Sequence, residues 1–306
     1  MNAIPKNLPC DPGMFQGLSE KLLRSHHQNN YGGAVKRLNA IRATLAQADF
    51  GSLTGFELNG LKREELIATN SMLLHELYFD GLAPEPPAML PAMALALAGS
   101  FGSVERWREE FVAMGKAQGG GSGWVLLSFQ PREGTLVNQW SADHAHVLAG
   151  GVPILALDMY EHAYYLDHGA AAGAYVDAFM GHVDWAKVYE RYQRAVHAAS
   201  DGAAADLDGL DLATRVVVDV RRDAMFAQSA TLLPGARWRD PASVHDWAAE
   251  LPADREVLVY CIYGHEVGRA TALKLRALGL DARFLPGGID AWAAAGKPLQ
   301  AKECHA

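Results

Sequence analysis

The stretch that decides the fold is residues 152–167, VPILALDMYEHAYYLD. Val152 to Leu157 form an apolar run of strand length, and Asp158 follows it directly. His162 comes four residues after Asp158, so a strand delivers a carboxylate and the next helical turn delivers an imidazole to the same side. That spacing suits chelation. Upstream, apolar residues recur at helical spacing from Leu18 to about Leu45 and again from about Leu61 to Phe79, which predicts an antiparallel helical hairpin. His26 in the first helix lies beside Leu22 and Leu23, and His75 in the second lies beside Leu73, Leu74 and Leu77, so both are placed to point inward. Imidazoles plus a carboxylate, without thiolate, suit iron or manganese. Each histidine alone reads equally as a core side chain bonded to a backbone carbonyl, and spacing does not show convergence.

After the break Pro84 to Pro87 come helical patterns at Met89 to Leu97 and Val104 to Gly115, then strand-like runs at Trp124 to Phe129 and Thr135 to Trp140. The helical run Trp185 to His197 ends in AASDGAAADLDGLDLATR, a small and acidic stretch with little to bury, which reads as a linker over 201–212. Beyond it, RVVVDV and EVLVYC alternate with helical patterns at Ser243 to Glu250 and Gly268 to Leu278, predicting a small α/β domain with a parallel sheet. The chain therefore divides into residues 1–200, an α+β domain with a hairpin over about 15–85 and an α/β part over about 88–197, and residues 213–306. A length of 306 residues, half of them hydrophobic, supplies two cores.

A net charge of −8 leaves no basic stripe for a nucleic acid. No signal-peptide pattern and no long uncharged apolar run occur, so neither a membrane span nor export is expected, and the location expected is cytoplasmic. Cys10, Cys261 and Cys304 are too widely spaced for a zinc knuckle and odd in number, so at least one thiol stays free. Cys261 ends a buried strand before a Gly-containing loop and a helix, where loop amides and the helix N-terminus would lower its pKa and favour thiolate. Inert packing is the alternative. The tail KECHA, with Cys304 and His305, reads as solvated.

The segments LSEKLLRSHHQNNYGGAVKRLN, LLHELYFDGLAP, GSGW and DMYEHAYYLD resemble, in order and spacing over roughly residues 15 to 195, the signatures of iron and manganese superoxide dismutases. The resemblance implies that fold, one iron or manganese ion per subunit on His26, His75, Asp158 and His162, and conversion of superoxide to oxygen and hydrogen peroxide. It also implies a homodimer in which Glu161 bonds His162 of a partner subunit and Tyr165 lies at the interface. Trp124 would wall the site, and Tyr160 would replace a tryptophan, adding a hydroxyl that needs a partner.

Two positions depart from the family. Ala34 and Asn30 stand where it carries a gateway tyrosine and its paired histidine, which leaves Tyr31 as the nearby hydroxyl for proton delivery. Where the family places a glutamine or a histidine against metal-bound solvent, the best match is His144, with His146 second; such a histidine is expected to titrate near neutral pH.

The segments VVVDVRRDAMF, LPGARW, VYC and LPGGIDAWAAAGKPL resemble a rhodanese-like domain over about residues 215 to 299. That resemblance implies a persulfide on Cys261, with Asp219 and Arg221 helping to hold the loop. The loop departs from type: Gly264 is followed by His265 and Glu266 rather than a cation, and Arg269 lies inside the helix. A weaker positive field disfavours a dianionic donor and points to a small thiol or persulfide partner. Two other readings fit the same residues: a non-enzymatic metal- or oxidant-sensing protein, and a sulfurtransferase whose first domain mainly dimerises.

Overall fold

A computed structural model describes residues 2–207 and 209–302. The first helix, α1 (20–46), starts at Ser19, whose hydroxyl accepts the Leu22 amide at 3.1 Å. It is not uniform. Residues His26–Tyr31 form a π turn between two α-helical segments, Glu20–Ser25 and Gly32–Ala46. Helical periodicity does not reveal that wide turn, and such turns commonly mark functional positions. Helix α2 (Gly55–Asp80) packs back along α1 to complete the expected hairpin.

Helices α3 (Pro91–Phe101) and α4 (Val104–Ala117) precede three antiparallel strands, β1 (Trp124–Gln130), β2 (Thr135–Ser141) and β3 (Val152–Asp158), in the order β2-β1-β3. Trp124 pairs with Asp158 across β1 and β3. Gly123 precedes β1 at φ +131°, and a Cβ there would lie 2.1 Å from the Ser141 carbonyl oxygen, so only glycine fits. Helices α5 (Ala172–Met180) and α6 (Trp185–Ser200) close this unit, with Asp184 capping α6 through the amides of Ala186 and Lys187.

The second unit holds the parallel strands β4 (Val216–Asp219), β5 (Arg237–Trp238), β6 (Val257–Tyr260) and β7 (Ala282–Phe284), in the order β5-β4-β6-β7, with helices α7 (Glu266–Ala277) and α8 (Gly288–Ala294). Fully buried β6 reads as a continuous apolar run because both faces of a parallel sheet are covered.

The segment read as having little to bury is in fact partly docked. Ala203 and Ala205 are buried, the Ala205 amide donates to the Phe284 carbonyl at 2.9 Å, and Ala204 forms a parallel bridge with Phe284. Alanine is small enough to sit beside Ala272 and Phe284, so a composition that looks like a spacer becomes an extra edge of the sheet. The two units are further joined where α7 packs on α6, and Ala270 and Leu273 of α7 belong to the apolar core of the first unit. Gly134, in the β1–β2 turn at φ +66°, makes room for this: a Cβ there would meet the Leu273 Cβ at 2.8 Å and the Ala270 carbonyl at 3.0 Å.

Candidate metal centre and thiol loop

His26 comes from the π turn of α1, His75 from α2, Asp158 from the end of β3, and His162 from the short turn after it. Their ligand atoms all lie within 4.8 Å of one another, so the four residues expected to converge do so. Three imidazole nitrogens face one carboxylate oxygen: Asp158 Oδ2 lies 3.0 Å from His26 Nε2, 3.2 Å from His162 Nε2 and 3.5 Å from His75 Nε2. The other oxygen, Oδ1, accepts the Tyr160 amide at 2.9 Å.

The tautomer of His75 follows from its neighbour. Its Nδ1 lies 2.6 Å from the Ser71 carbonyl oxygen, which can only accept, so Nδ1 carries the proton and Nε2 keeps its lone pair. That Nε2 is buried without a hydrogen-bond partner, which is costly unless something electropositive occupies the space it faces. Burial, reinforced by His26, pushes the His75 pKa down to about 3, and burial also lowers that of His26. Burial alone would raise Asp158, but the charges and hydrogen bonds of His162 and His26 outweigh it and hold the carboxyl well below its usual range. Depressed imidazoles at His26 and His75, an anionic carboxylate and an orphaned lone pair together fit a cation.

Trp124 is fully buried, meets His75 edge-on at 5.2 Å and donates its indole N–H to His144 Nδ1 at 2.9 Å. The neutral His144 ring therefore carries its proton on Nε2. Burial lowers the His144 pKa, which corrects the expectation of titration near neutrality. Its ring stacks on Tyr160 at 4.8 Å, and Tyr160 stacks in turn on His162 at 5.3 Å. The Tyr160 hydroxyl finds its partner in the His144 backbone amide. Asn70, which the sequence did not single out, donates to the His144 carbonyl at 2.6 Å and ties this loop to α2. His146 is elsewhere, exposed and stacked on Trp140.

Tyr31 does not join the ligands. Its hydroxyl accepts the Lys6 amide at 2.7 Å and donates to Glu76 at 3.1 Å, while its ring meets that of His27 at a tilt, centroids 5.0 Å apart. Both aromatic residues line a cavity of about 800 Å³, together with Lys6, Glu76 and Arg194, and none of the four ligands lines it. Tyr31 lies five residues beyond His26 within the same π turn yet is held by Lys6 and Glu76 instead, and the buried Ala34 offers no hydroxyl in exchange.

In the second unit, Cys261 follows β6 and is 6 % exposed. Its sulfur accepts from the amides of Gly264, His265 and Gly268, as the loop pattern predicted. The pKa outcome is the reverse of the prediction: burial pushes the thiol up by more than these amides pull it down. Gly264 sits at φ +67°, where a Cβ would lie 2.5 Å from the Gly287 amide nitrogen. Asp219 and Arg221 form a buried pair, and Asp219 accepts the Tyr260 hydroxyl at 2.8 Å, so they brace the strand end just before Cys261 rather than the loop. Arg269 holds the loop, donating through Nε to the Gly264 carbonyl at 2.9 Å. The His265 side chain faces His197 of α6, with ring centroids 6.4 Å apart.

The family model for iron/manganese superoxide dismutases, C-terminal domain, matches residues 90–191. An iron superoxide dismutase of Cupriavidus metallidurans is 62% identical over 191 residues, covering 62% of this chain and 96% of that protein. The chain belongs to the iron/manganese superoxide dismutase family. A manganese enzyme of Halobacterium salinarum is 36% identical, over 58% of this chain and 88% of its own length. An iron enzyme of Aquifex aeolicus is 32% identical, over 61% and 90%. A rhodanese-like domain matches residues 203–295, so the dismutase unit is followed by a rhodanese-like one, and that match takes in the docked alanines. On the dismutase surface, Glu161, Tyr165 and Leu166 are exposed together beside His162. Among the described residues no helix is long and apolar enough to cross a membrane.

Proposed function

We propose that this chain dismutates superoxide to oxygen and hydrogen peroxide, with one iron or manganese ion held per subunit by His26, His75, Asp158 and His162. The observation that carries the reading is the buried, partnerless Nε2 of His75 among donors within 4.8 Å of one another. When bound, the ion supplies one-electron chemistry between its divalent and trivalent states. The protein supplies the rest. Asp158 contributes a permanent negative charge that favours the higher oxidation state, and the Ser71 carbonyl fixes His75 in the tautomer that leaves Nε2 free. Trp124 keeps the His144 proton on Nε2, which makes His144 the proton donor beside the ion in place of a gateway tyrosine. Hydrogen peroxide forms only when reduced superoxide gains two protons; the His144 Nε2–H would supply one and solvent the other.

The exposed group Glu161, Tyr165 and Leu166 supports a homodimer through the dismutase unit, with Glu161 reaching His162 of the other subunit. The free thiols of Cys10 and Cys261 support a cytoplasmic location. Cys261, with three amides aimed at its sulfur, supports a second activity in sulfur transfer with small thiols or persulfides. Elemental analysis with superoxide kinetics tests the main reading: purified protein should hold near-stoichiometric iron or manganese, and Asp158→Asn should lose metal and activity together. Stoichiometric metal with negligible dismutation would refute it.

A further inference from the structure

The loop around Cys261 is covered by the other unit. Glu266 opens α7 between the amides of Gly264 and His265 and that of Gly268, all of which reach the sulfur, and is 5 % exposed. Both of its carboxylate oxygens are held from α6: Tyr189 donates its hydroxyl to Oε1 at 2.6 Å, and Gln193 donates its amide to Oε2 at 3.0 Å. Burial and the Glu266 carboxylate push the Tyr189 pKa up, so its hydroxyl stays a donor to that carboxylate. Arg269, which holds Gly264, also reaches back to Ser200 Oγ at 3.1 Å and Asp201 at 3.0 Å at the end of α6. Beside this contact lies a hollow of about 350 Å³ lined by Glu190, Gln193, Arg194, His197 and His265. Cys261 does not line it; His265, whose amide bonds the sulfur, is the shared wall.

We propose that α6 of the dismutase unit is the outer wall of the Cys261 pocket, and that Tyr189 and Gln193 restrict it to sulfur species of a few heavy atoms, excluding peptide and protein thiols. This rests on the reading of Cys261 as a reactive thiol. Two hydrogen bonds to one buried carboxylate hold α6 against the loop, and a bulky reactant must displace them before it reaches sulfur. Hydrosulfide, methanethiol and comparably small persulfides need no such opening. The carboxylate of Glu266, beside the sulfur, adds a charge barrier against dianions.

The test uses the full chain with Cys10→Ser and Cys304→Ser, so that Cys261 is the remaining thiol. Methyl methanethiosulfonate is the small probe: the thiolate forms an S–S bond to the S-methyl group as methanesulfinate leaves. Dithiodipyridine is the bulky neutral probe. Each rate is divided by that of the urea-unfolded chain at the same pH, which removes intrinsic reactivity. Protection against the bulky probe should exceed protection against the small one by about 100-fold. Tyr189→Ala with Gln193→Ala should cut the bulky-probe protection at least about tenfold while changing the small-probe rate less than about threefold, and the conservative Tyr189→Phe should fall between. Retained superoxide removal confirms that each variant is folded. Equal protection against both probes, or folded variants that leave the ratio unchanged, would overturn the wall and leave the thiol reading standing. A Cys261 inert to the small probe in every folded variant would overturn both.

Discussion

At the scale of single residues, His144 and Gly264 make separable predictions. His144 is outside the group of four ligands, so His144→Ala should leave metal content within error of the parent while lowering turnover about 10- to 100-fold and altering its pH profile. An unchanged profile by stopped-flow kinetics would remove His144 from proton delivery. Gly264→Ala must place a methyl group against the Gly287 amide at positive φ, and should cost at least about 2 kcal/mol in the rhodanese-like unit, read by urea denaturation. The four ligands were legible through the resemblance of the segments around them to the dismutase signatures; the four-residue spacing and the apolar helix faces alone left each histidine open to a core reading. The state of Cys261 was not, because motif and amides both point to a lowered pKa while the burial that outweighs them comes from tertiary packing. Tyr31 was misplaced for a similar reason, since the Lys6 amide and Glu76 that claim its hydroxyl are tertiary partners that helical spacing does not name. One cheap signal went unused: Ser71 and His75 are four residues apart, the spacing at which a helical carbonyl can meet a histidine ring.

At the scale of elements, the packing of α7 against the first unit contains a group that should titrate. Lys274 is buried, its only described hydrogen bond is to the Gly99 carbonyl at 3.4 Å, and burial depresses its pKa from 10.5 to about 8. Between these two values the unfolded chain binds more protons than the native one, so this group makes stability rise with pH there, and its full cost is present below pH 8. Lys274→Met keeps the volume and removes the charge. It should raise the urea midpoint at pH 7, and the advantage over the parent should shrink as pH climbs from 8 toward 10.5. An advantage constant across that range would assign the gain to packing alone. Most helices and strands named from the sequence lie within a few residues of their expected bounds, because each carries an apolar period or run of its own, whereas α5, β5, β7 and α8 were not named. The contact between α6 and α7 was not predictable, since each helix is separately amphipathic and nothing in either pattern names its partner.

At the scale of the whole molecule, the two units share apolar side chains, an edge bridge at Ala204 and the Arg269 contacts, so they should not unfold independently. Calorimetry of the metal-loaded chain should show a single cooperative transition, and chelation should lower it as a whole. Two resolved peaks, with only the lower or the upper one shifted by chelation, would show that the interface does not couple them. Reading residues 201–212 as a spacer would have predicted those two peaks. Composition was the misleading quantity: a run of alanines lacks bulk to form a core but also lacks bulk to be kept out of one.

The β1–β2 turn carries a record of the fusion. A positive φ at residue 134 would by itself tolerate asparagine, but the approach of Leu273 and Ala270 would not. Without the appended unit, Leu273 and Ala270 would not press on that turn. Substituting this one position therefore offers a way to pry the two halves apart without touching either centre, and inspecting it in other fused chains offers a way to tell a docked appendage from a dangling one.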